Sequence, residues 1–230
     1  MSQTFTKSLA GIELLSEIAP ERLSDLEKTA RWRRCRAKEL VFDMQSSGTE
    51  LYFIVEGALQ VVNFSPAGRE VSFAQVPAGG YIGEMSAIDS KTRSATVVAV
   101  GGTVLASISA ATFSNLLLDY PKIAIVVLQN LAAMVRSADE RIMDLSTLSA
   151  INRVHSELLR LAVLDDDDDN IAIITPMLTH SDIAARASTT RETVSRVLSN
   201  LSRIRILDRG NNAFRVLDVE RLTNMIEAGD

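Results

Sequence analysis

The sequence predicts an α+β chain: an N-terminal β jelly-roll, one long helix, then a small unit of two short helices and a hairpin wing. Three patterns predict it. Between residues 40 and 108, short β-branched and aromatic runs are separated by glycine-bearing turns. Between residues 124 and 145, apolar residues recur every three or four positions. Beyond residue 178, two helical stretches with capping residues precede a glycine- and asparagine-rich turn between apolar pairs.

At the start of the chain, residues 12–31 alternate apolar and charged positions at helical spacing (Leu14, Leu15, Ile18, Leu23, Leu26) around Pro20, and read as short N-terminal helices. The runs LYFIV, ALQVVNF, EVSFAQV, SATVVAV and TVLASI follow, with turns at Glu56-Gly57, Pro66-Ala67-Gly68 and Gly101-Gly102. Strands this short, at this rhythm, build a sandwich or jelly-roll barrel. Helical periodicity returns after Ala110. Ala124, Leu128, Leu131, Val135, Ala138, Ile142 and Leu145 are spaced 4, 3, 4, 3, 4, 3, which is three heptads of an apolar seam. Such a seam can pack on the chain's own barrel. Arg136, Asp139, Glu140, Arg141 and Asp144 make the other faces polar, however, which favours a partner helix and a homodimer through residues 121–146 or so. The heptads break at residues 146–149, where Ser149 is placed to cap a new helix. The domain boundary is expected there, giving units 1–148 and 149–230. The five aspartates at 165–169 read as a solvated loop, since a contiguous run lacks the alternating spacing of a calcium loop.

The 230 residues are 47% hydrophobic, enough for substantial cores. Neither a leader peptide nor a membrane span is visible, so a cytoplasmic protein is expected. Cys35 is the single cysteine; it excludes an internal disulfide and an iron–sulfur cluster, and reads as a small buried hydrophobe. The net charge of −5 hides an asymmetry: residues 180–215 hold seven arginines against three acids, a net +4, and leave −9 on the remainder. A basic unit on an acidic body is the electrostatic footprint of a nucleic-acid-binding head. A barrel-type metal enzyme is disfavoured because no histidine lies in residues 1–154. The chain is therefore expected not to be an enzyme, and to need no metal.

Residues 82–97, IGEMSAIDSKTRSATV, set Gly83-Glu84 and Arg93-Ser94 at the two ends of a short, mostly apolar segment. Arginine can fork onto a phosphate. Ionised glutamate can only accept, which suits a ribose hydroxyl. The segment resembles the phosphate-binding cassette of cyclic-nucleotide-binding domains, G-E-(L/M)-x-A-(L/I) followed by R-x-A-T-V. The matches are Gly83, Glu84, Met85, Ala87 (or Ser86), Ile88, Arg93, Ala95, Thr96 and Val97. That resemblance implies that amides near Gly83, Ser86 and Ser94, with Arg93, hold a cyclic phosphate, that Met85 lines the same site and that Glu84 takes the 2′-hydroxyl. It places base recognition at Ala138 and Asp139 of the long helix. Asp139 can accept from an adenine amino group or from guanine N1 and N2, and Ser94 can bond a guanine amino group. Cyclic AMP is the expected effector, with cyclic GMP a competitor.

In residues 178–207, Thr179 and Asp182 form a capping-box start, and Ile183, Ala184 and Ala187 give the first helix a small inner face. Thr190 caps the second helix, whose buried stripe is Val194, Val197, Leu198 and Leu201. Arg191, Glu192, Ser195, Arg196 and Ser199 are left outward. Arginine suits guanine O6 and N7, and glutamate accepts from a cytosine amino group. Ile206-Leu207 and Phe214-Arg215-Val216 flank the turn at 208–213 as a hairpin wing, with Arg209 near the DNA backbone.

The string TTRETVSRVLSNL resembles the recognition helix, S-R-E-T-V-(S/G)-R-x-L, of the CRP/FNR superfamily of bacterial transcription regulators, in particular its cyclic-AMP-receptor subgroup. Ser188 departs from the family's turn glycine; at a positive φ it costs on the order of 1 kcal/mol. The resemblance implies a winged helix-turn-helix. Its bases would be read by Arg191, Glu192 and Arg196, and Thr179, Ser181, Thr190, Thr193 and Arg209 would touch the DNA backbone. It further implies a dimer on palindromic double-stranded DNA with TGTGA-like half-sites, RNA polymerase as a partner, and an effector that sets the geometry of the DNA heads. The family's iron–sulfur sensors are disfavoured because Cys35 is the single cysteine, and its haem sensors because His155 and His180 both lie beyond the hinge. Two alternatives stay open: a cyclic-nucleotide module acting on a protein partner, and a CRP/FNR regulator with another effector.

Overall fold

A computed structural model describes residues 7–64, 70–210 and 212–227, in two units, Met1–Ala133 and Met134–Asp230. In the first, a 3-10 turn at Glu13–Leu15 leads to α1 (Pro20–Thr29), started by a proline that needs no N–H at the first helical position. The strands are β1 (Arg31–Cys35), β2 (Leu40–Phe42), β3 (Leu51–Glu56), β4 (Ala58–Phe64), β5 (Glu70–Pro77), β6 (Tyr81–Ile82), β7 (Thr96–Ala99) and β8 (Thr103–Ile108). A short helix α2 (Glu84–Asp89) stands between β6 and β7, and α3 (Ala110–Asp119) follows β8. Two antiparallel sheets form, in the orders β1-β8-β3-β6 and β2-β7-β4-β5. The expected jelly-roll is this sandwich. The turn at residues 66–68 lies outside the described residues.

One sheet is buried on both faces. Ile54 and Leu105 point into the sandwich with Val41, Leu59 and Val97, while Leu51, Phe53, Ala106 and Ile108 point the other way, onto Leu26, Phe113, Ile123 and Val127. This is why β8 reads as a nearly unbroken apolar run rather than an alternating one. The reading of residues 12–31 as helical needs one correction. Arg31 opens β1, a strand of sequence RWRRC that, among the described residues, pairs with β8 alone at the sheet's edge and exposes its three arginines. An edge strand tolerates charge that a central strand does not, so its sequence carries no strand texture.

Helix α4 (Pro121–Thr147) presents two stripes. Ile123, Val127 and the half-buried Leu131 pack on the first unit's core. The heptad positions Leu128, Val135, Ile142 and Leu145 are 52–60% exposed in the single chain. The helix ends at Thr147, and α5 (Ala150–Leu161) starts behind Ser149, whose Oγ accepts from the Asn152 amide at 3.3 Å. The boundary expected at 148/149 thus coincides with the break between helices, while the compact units divide within α4.

The second unit adds β9 (Val163–Leu164), β10 (Ala172–Ile174), α6 (His180–Arg186), α7 (Arg191–Arg203), β11 (Leu207–Arg209), β12 (Phe214–Val216) and α8 (Val219–Glu227). Its core joins Val154, Leu158, Ile183, Val194, Leu198, Leu201, Phe214 and Leu222. The expected wing, β11 and β12, is half of a four-stranded sheet ordered β11-β12-β10-β9. The aspartate run connects β9 to β10. Glu157 is buried between Arg160 at 2.8 Å and Arg186 at 3.5 Å, and Arg160 also reaches Asp144 of α4 at 2.7 Å. Arg153 donates to the carbonyls of Leu148, Ala187 and Ser188 at 3.0, 3.0 and 3.2 Å, tying the end of α4 to the turn after α6.

Both helices of the pair end in the same way. After α6, the Thr189 amide bonds Ala184 O at 2.9 Å and the Ser188 amide bonds Ala185 O at 3.4 Å; after α7, Ile206 bonds Leu201 O and Arg205 bonds Ser202 O, at 2.9 and 3.1 Å. These are Schellman closures, which put one residue in the left-handed region. Here those residues are Ser188, with φ 49°, and Arg205, with φ 58°. Neither is the glycine that tolerates it without cost. Ser188→Gly and Arg205→Gly should each raise the unfolding free energy of the second unit by about 0.5–1 kcal/mol. Urea unfolding checks this, and a loss of stability in both variants would contradict the strain.

Candidate functional site

The first unit brings Gly83, Glu84, Met85, Ser86, Arg93 and Ser94 together around one buried cation. Arg93 is 2% exposed. Its main chain is anchored to the preceding loop, with its amide on Ser46 O at 3.0 Å and its carbonyl taking the Gln45 amide at 2.9 Å. Nη1 donates to Ser86 Oγ at 2.7 Å and Gly83 O at 3.3 Å. Nη2 donates to Glu50 O at 2.8 Å and approaches the Glu50 carboxylate at 3.4 Å. The guanidinium lies over the Phe42 ring at 4.3 Å and near the Tyr52 ring at 5.6 Å. Burial lowers its pKa, against which Tyr52, Glu50 and Glu84 pull upward.

Gly83 makes the arrangement possible. It caps α2 at φ 94°, and a Cβ built there would stand 2.5 Å from Arg93 Nη1 and 2.8 Å from Glu50 O. Glu84 follows on the first turn of α2 and folds back onto the amides of Gly83 and its own residue. Desolvation outweighs those bonds and the pull of Arg93, so its pKa is raised. Ser94 is exposed and its Oγ lies 3.5 Å from Met85 Sδ. Thr96, matched to the cassette by sequence, works structurally: its Oγ1 donates to Asp43 at 2.7 Å and accepts from the Met44 amide at 3.1 Å. Ala138 and Asp139 belong to the second unit, on the exposed part of α4. Within the first unit, α4 instead offers Asn130, whose Nδ2 donates to the Tyr81 hydroxyl at 2.8 Å.

In the second unit Arg191, Glu192 and Arg196 are exposed on the first two turns of α7, opposite the buried Val194, Val197, Leu198 and Leu201. Backbone bonding at its own residue, the Thr190 hydroxyl and Arg191 hold the Glu192 carboxyl below the usual range, leaving it an acceptor. Thr179 and Thr190 are engaged as caps: Thr179 in a full capping box with Asp182, Thr190 with the Thr193 amide at 3.2 Å. Ser181 is exposed on the first turn of α6, and Arg209 is exposed at the tip of β11. Among the described residues, no cluster of three or more His, Cys, Asp or Glu is arranged to hold a metal.

Sequence models of two domains match the chain: a cyclic nucleotide-binding domain over residues 32–120 and a Crp-like helix-turn-helix domain over residues 152–225. The chain is 32% identical over 197 residues to the cyclic AMP receptor protein of Thermus thermophilus, covering 84% of this chain and 87% of that one. The chain belongs to the CRP/FNR family of transcription regulators. A CRP-like cAMP-activated global transcriptional regulator of Mycobacterium tuberculosis is 24% identical over 93% of this chain and 96% of its own. The solved structure of a CooA variant from Carboxydothermus hydrogenoformans has the same fold, with TM-score 0.78 at 19% identity over 97% of both chains.

As a CRP/FNR regulator, the protein joins a cyclic-nucleotide-binding domain to a DNA-binding helix-turn-helix. The cassette and its Arg93 fall within the first matched region, and Arg191, Glu192 and Arg196 within the second. Sequence reasoning missed the groups that hold Arg93 in place: Phe42, Tyr52 and Glu50. Their signal was an aromatic on each of two neighbouring runs and a lone acid at the head of LYFIV. Gly83→Ala should destabilise the regulator by about 1–3 kcal/mol and displace the Arg93 fork; melting curves and loss of ligand binding check it. Because folding raises the Glu84 pKa, its ionised form costs stability above the ordinary carboxylate range and its protonated form does not. Glu84→Gln should therefore stabilise the protein at pH 7, with the gain shrinking as pH falls through the raised pKa. Equal gains at pH 7 and pH 3.5 would refute this.

Proposed function

We propose that the regulator responds to cyclic AMP, with cyclic GMP as the competing effector. The observation that carries this reading is the Arg93 fork, held in place beside Gly83-Glu84, which sets one cation and one acceptor on the same short segment. The names of the T. thermophilus and M. tuberculosis relatives, both of which refer to cyclic AMP, support it. Asp139 and Ala138 are assigned to the base; Asp139 can accept from either purine, which is why cyclic GMP competes. The protein works without catalysis, in the cytoplasm.

The exposed stripe of α4 is assigned to a homodimer, since Leu128, Val135, Ile142 and Leu145 repeat as heptads and lie outside the single chain's core. Two copies would set two α7 helices on an inverted repeat with TGTGA-like half-sites, and RNA polymerase would read the bound dimer. Effector and DNA must then raise each other's affinity by the same factor.

Calorimetric titration with each nucleotide tests the effector; saturable binding of cyclic AMP is expected, and no binding of either nucleotide at millimolar concentration would sink the reading. Arg191→Ala should weaken operator binding by roughly 1–3 kcal/mol and relax preference at one base pair, leaving nucleotide binding intact. Gel-shift titration on substituted operators reads both effects. If Arg191→Ala leaves the affinity unchanged, α7 is not the reading helix.

A further inference from the structure

Glu50 has no counterpart in the sequence signature of the cassette, yet its carboxylate forms the salt bridge to the buried cation. Among the described residues it is the only carboxylate within 4 Å of the Arg93 guanidinium. The other acceptors, Gly83 O, Ser86 Oγ and Glu50 O, are neutral, and Arg93 Nε is buried with no hydrogen-bond partner among the described residues. A guanidinium this buried is costly without a full counter-charge. Glu50 supplies one at 3.4 Å from a side chain that is 41% exposed.

We propose that Glu50 is a built-in counterion that competes with the effector's phosphate for Arg93, and so sets the concentration at which the protein responds. This rests on the phosphate reading of Arg93. The two roles of Glu50 separate cleanly along its own atoms. Its backbone carbonyl, 2.8 Å from Nη2, fixes the fork. Its carboxylate touches the same nitrogen more loosely, is partly in water, and can swing away by rotation of its side chain at little desolvation cost. Gly48 leaves the room in which the two groups meet: a Cβ there would stand 3.1 Å from Glu50 Oε2 and 3.4 Å from Arg93 Nη2. An arriving cyclic phosphate carries the same sign as the carboxylate, so the two cannot share Nη2 without repulsion. Binding is therefore an exchange of one anion for another on a fixed cation, and affinity reflects the difference between them. Phe42 and Tyr52 keep the guanidinium in place during the exchange.

Glu50→Gln keeps the backbone carbonyl and the side-chain shape, and removes both the competition and the repulsion. Because the carboxylate is half-exposed, the expected gain is modest, about three- to tenfold tighter binding of cyclic AMP and of cyclic GMP. The gain should narrow in high salt, which screens the wild-type repulsion; a purely structural role for Glu50 would show no such dependence. Glu50→Ala should shift affinity in the same direction, with melting curves confirming that both variants are folded. Calorimetry on the full chain at low and high salt reads all of this. Affinity that neither variant raises above the wild type's, with the wild type binding normally, overturns the counterion and leaves the effector reading standing. Failure of wild type and variants alike to bind either nucleotide overturns the effector reading and the counterion with it. Binding by Glu50→Gln where the wild type binds undetectably supports both.

Discussion

A positive charge kept out of water organises the first unit. Arg93 cannot be buried bare, so the chain surrounds it with carbonyls, a hydroxyl, two rings and one partly exposed acid. Those groups come from four places: the loop before β3, the head of α2, and the strands β2 and β3. Their placement in turn requires the left-handed Gly83 and the backbone ties that join Arg93 to Gln45 and Ser46. The sandwich supplies the rigidity, and the cation decides where its loops must converge. That convergence is what makes the cassette a binding site rather than a loop.

The helical half follows a different rule, that of one element with two apolar faces. Ile123, Val127 and the heptad residue Leu131 pack on the first unit's core, while Leu128, Val135, Ile142 and Leu145 stay exposed in the single chain. At the far end of α4, Arg160 and Arg153 fasten it to α5 and to the turn between the reading helices. Within the second unit these ties to the end of α4 are charged and directional. Arg153 makes three such directional contacts at once, to Leu148, Ala187 and Ser188.

Where a local rule governed, the residues could be read in advance. The capping box at Thr179 and Asp182, the cap at Ser149 and the buried stripe of α7 each depend on side chains within a turn or two of one another, and each stands as the sequence implies. The left-handed Ser188 was legible for the same reason, as a departure at a position with a known backbone demand. Legibility ended where partners are distant in sequence. Glu50 meets Arg93 across 43 positions, and nothing local marks either Phe42 or Tyr52 as its lid. The strands β9 and β10 were missed because two- and three-residue strands carry too few side chains for an alternation to show. Strand β1 was missed because its charges suit the rim of a sheet and mimic the end of a helix.

The arginines of β1 have a consequence for how copies of the protein can meet. A sheet rim exposes unpaired N–H and C=O groups, and two such rims can zip together into an open-ended array. Arg31 and Arg34 stand along this rim, with Arg33 paired to Glu39 at 2.9 Å, so a second copy approaching it would bring arginine against arginine. Strand addition at this rim is thereby discouraged, and with it a growing fibre built through it.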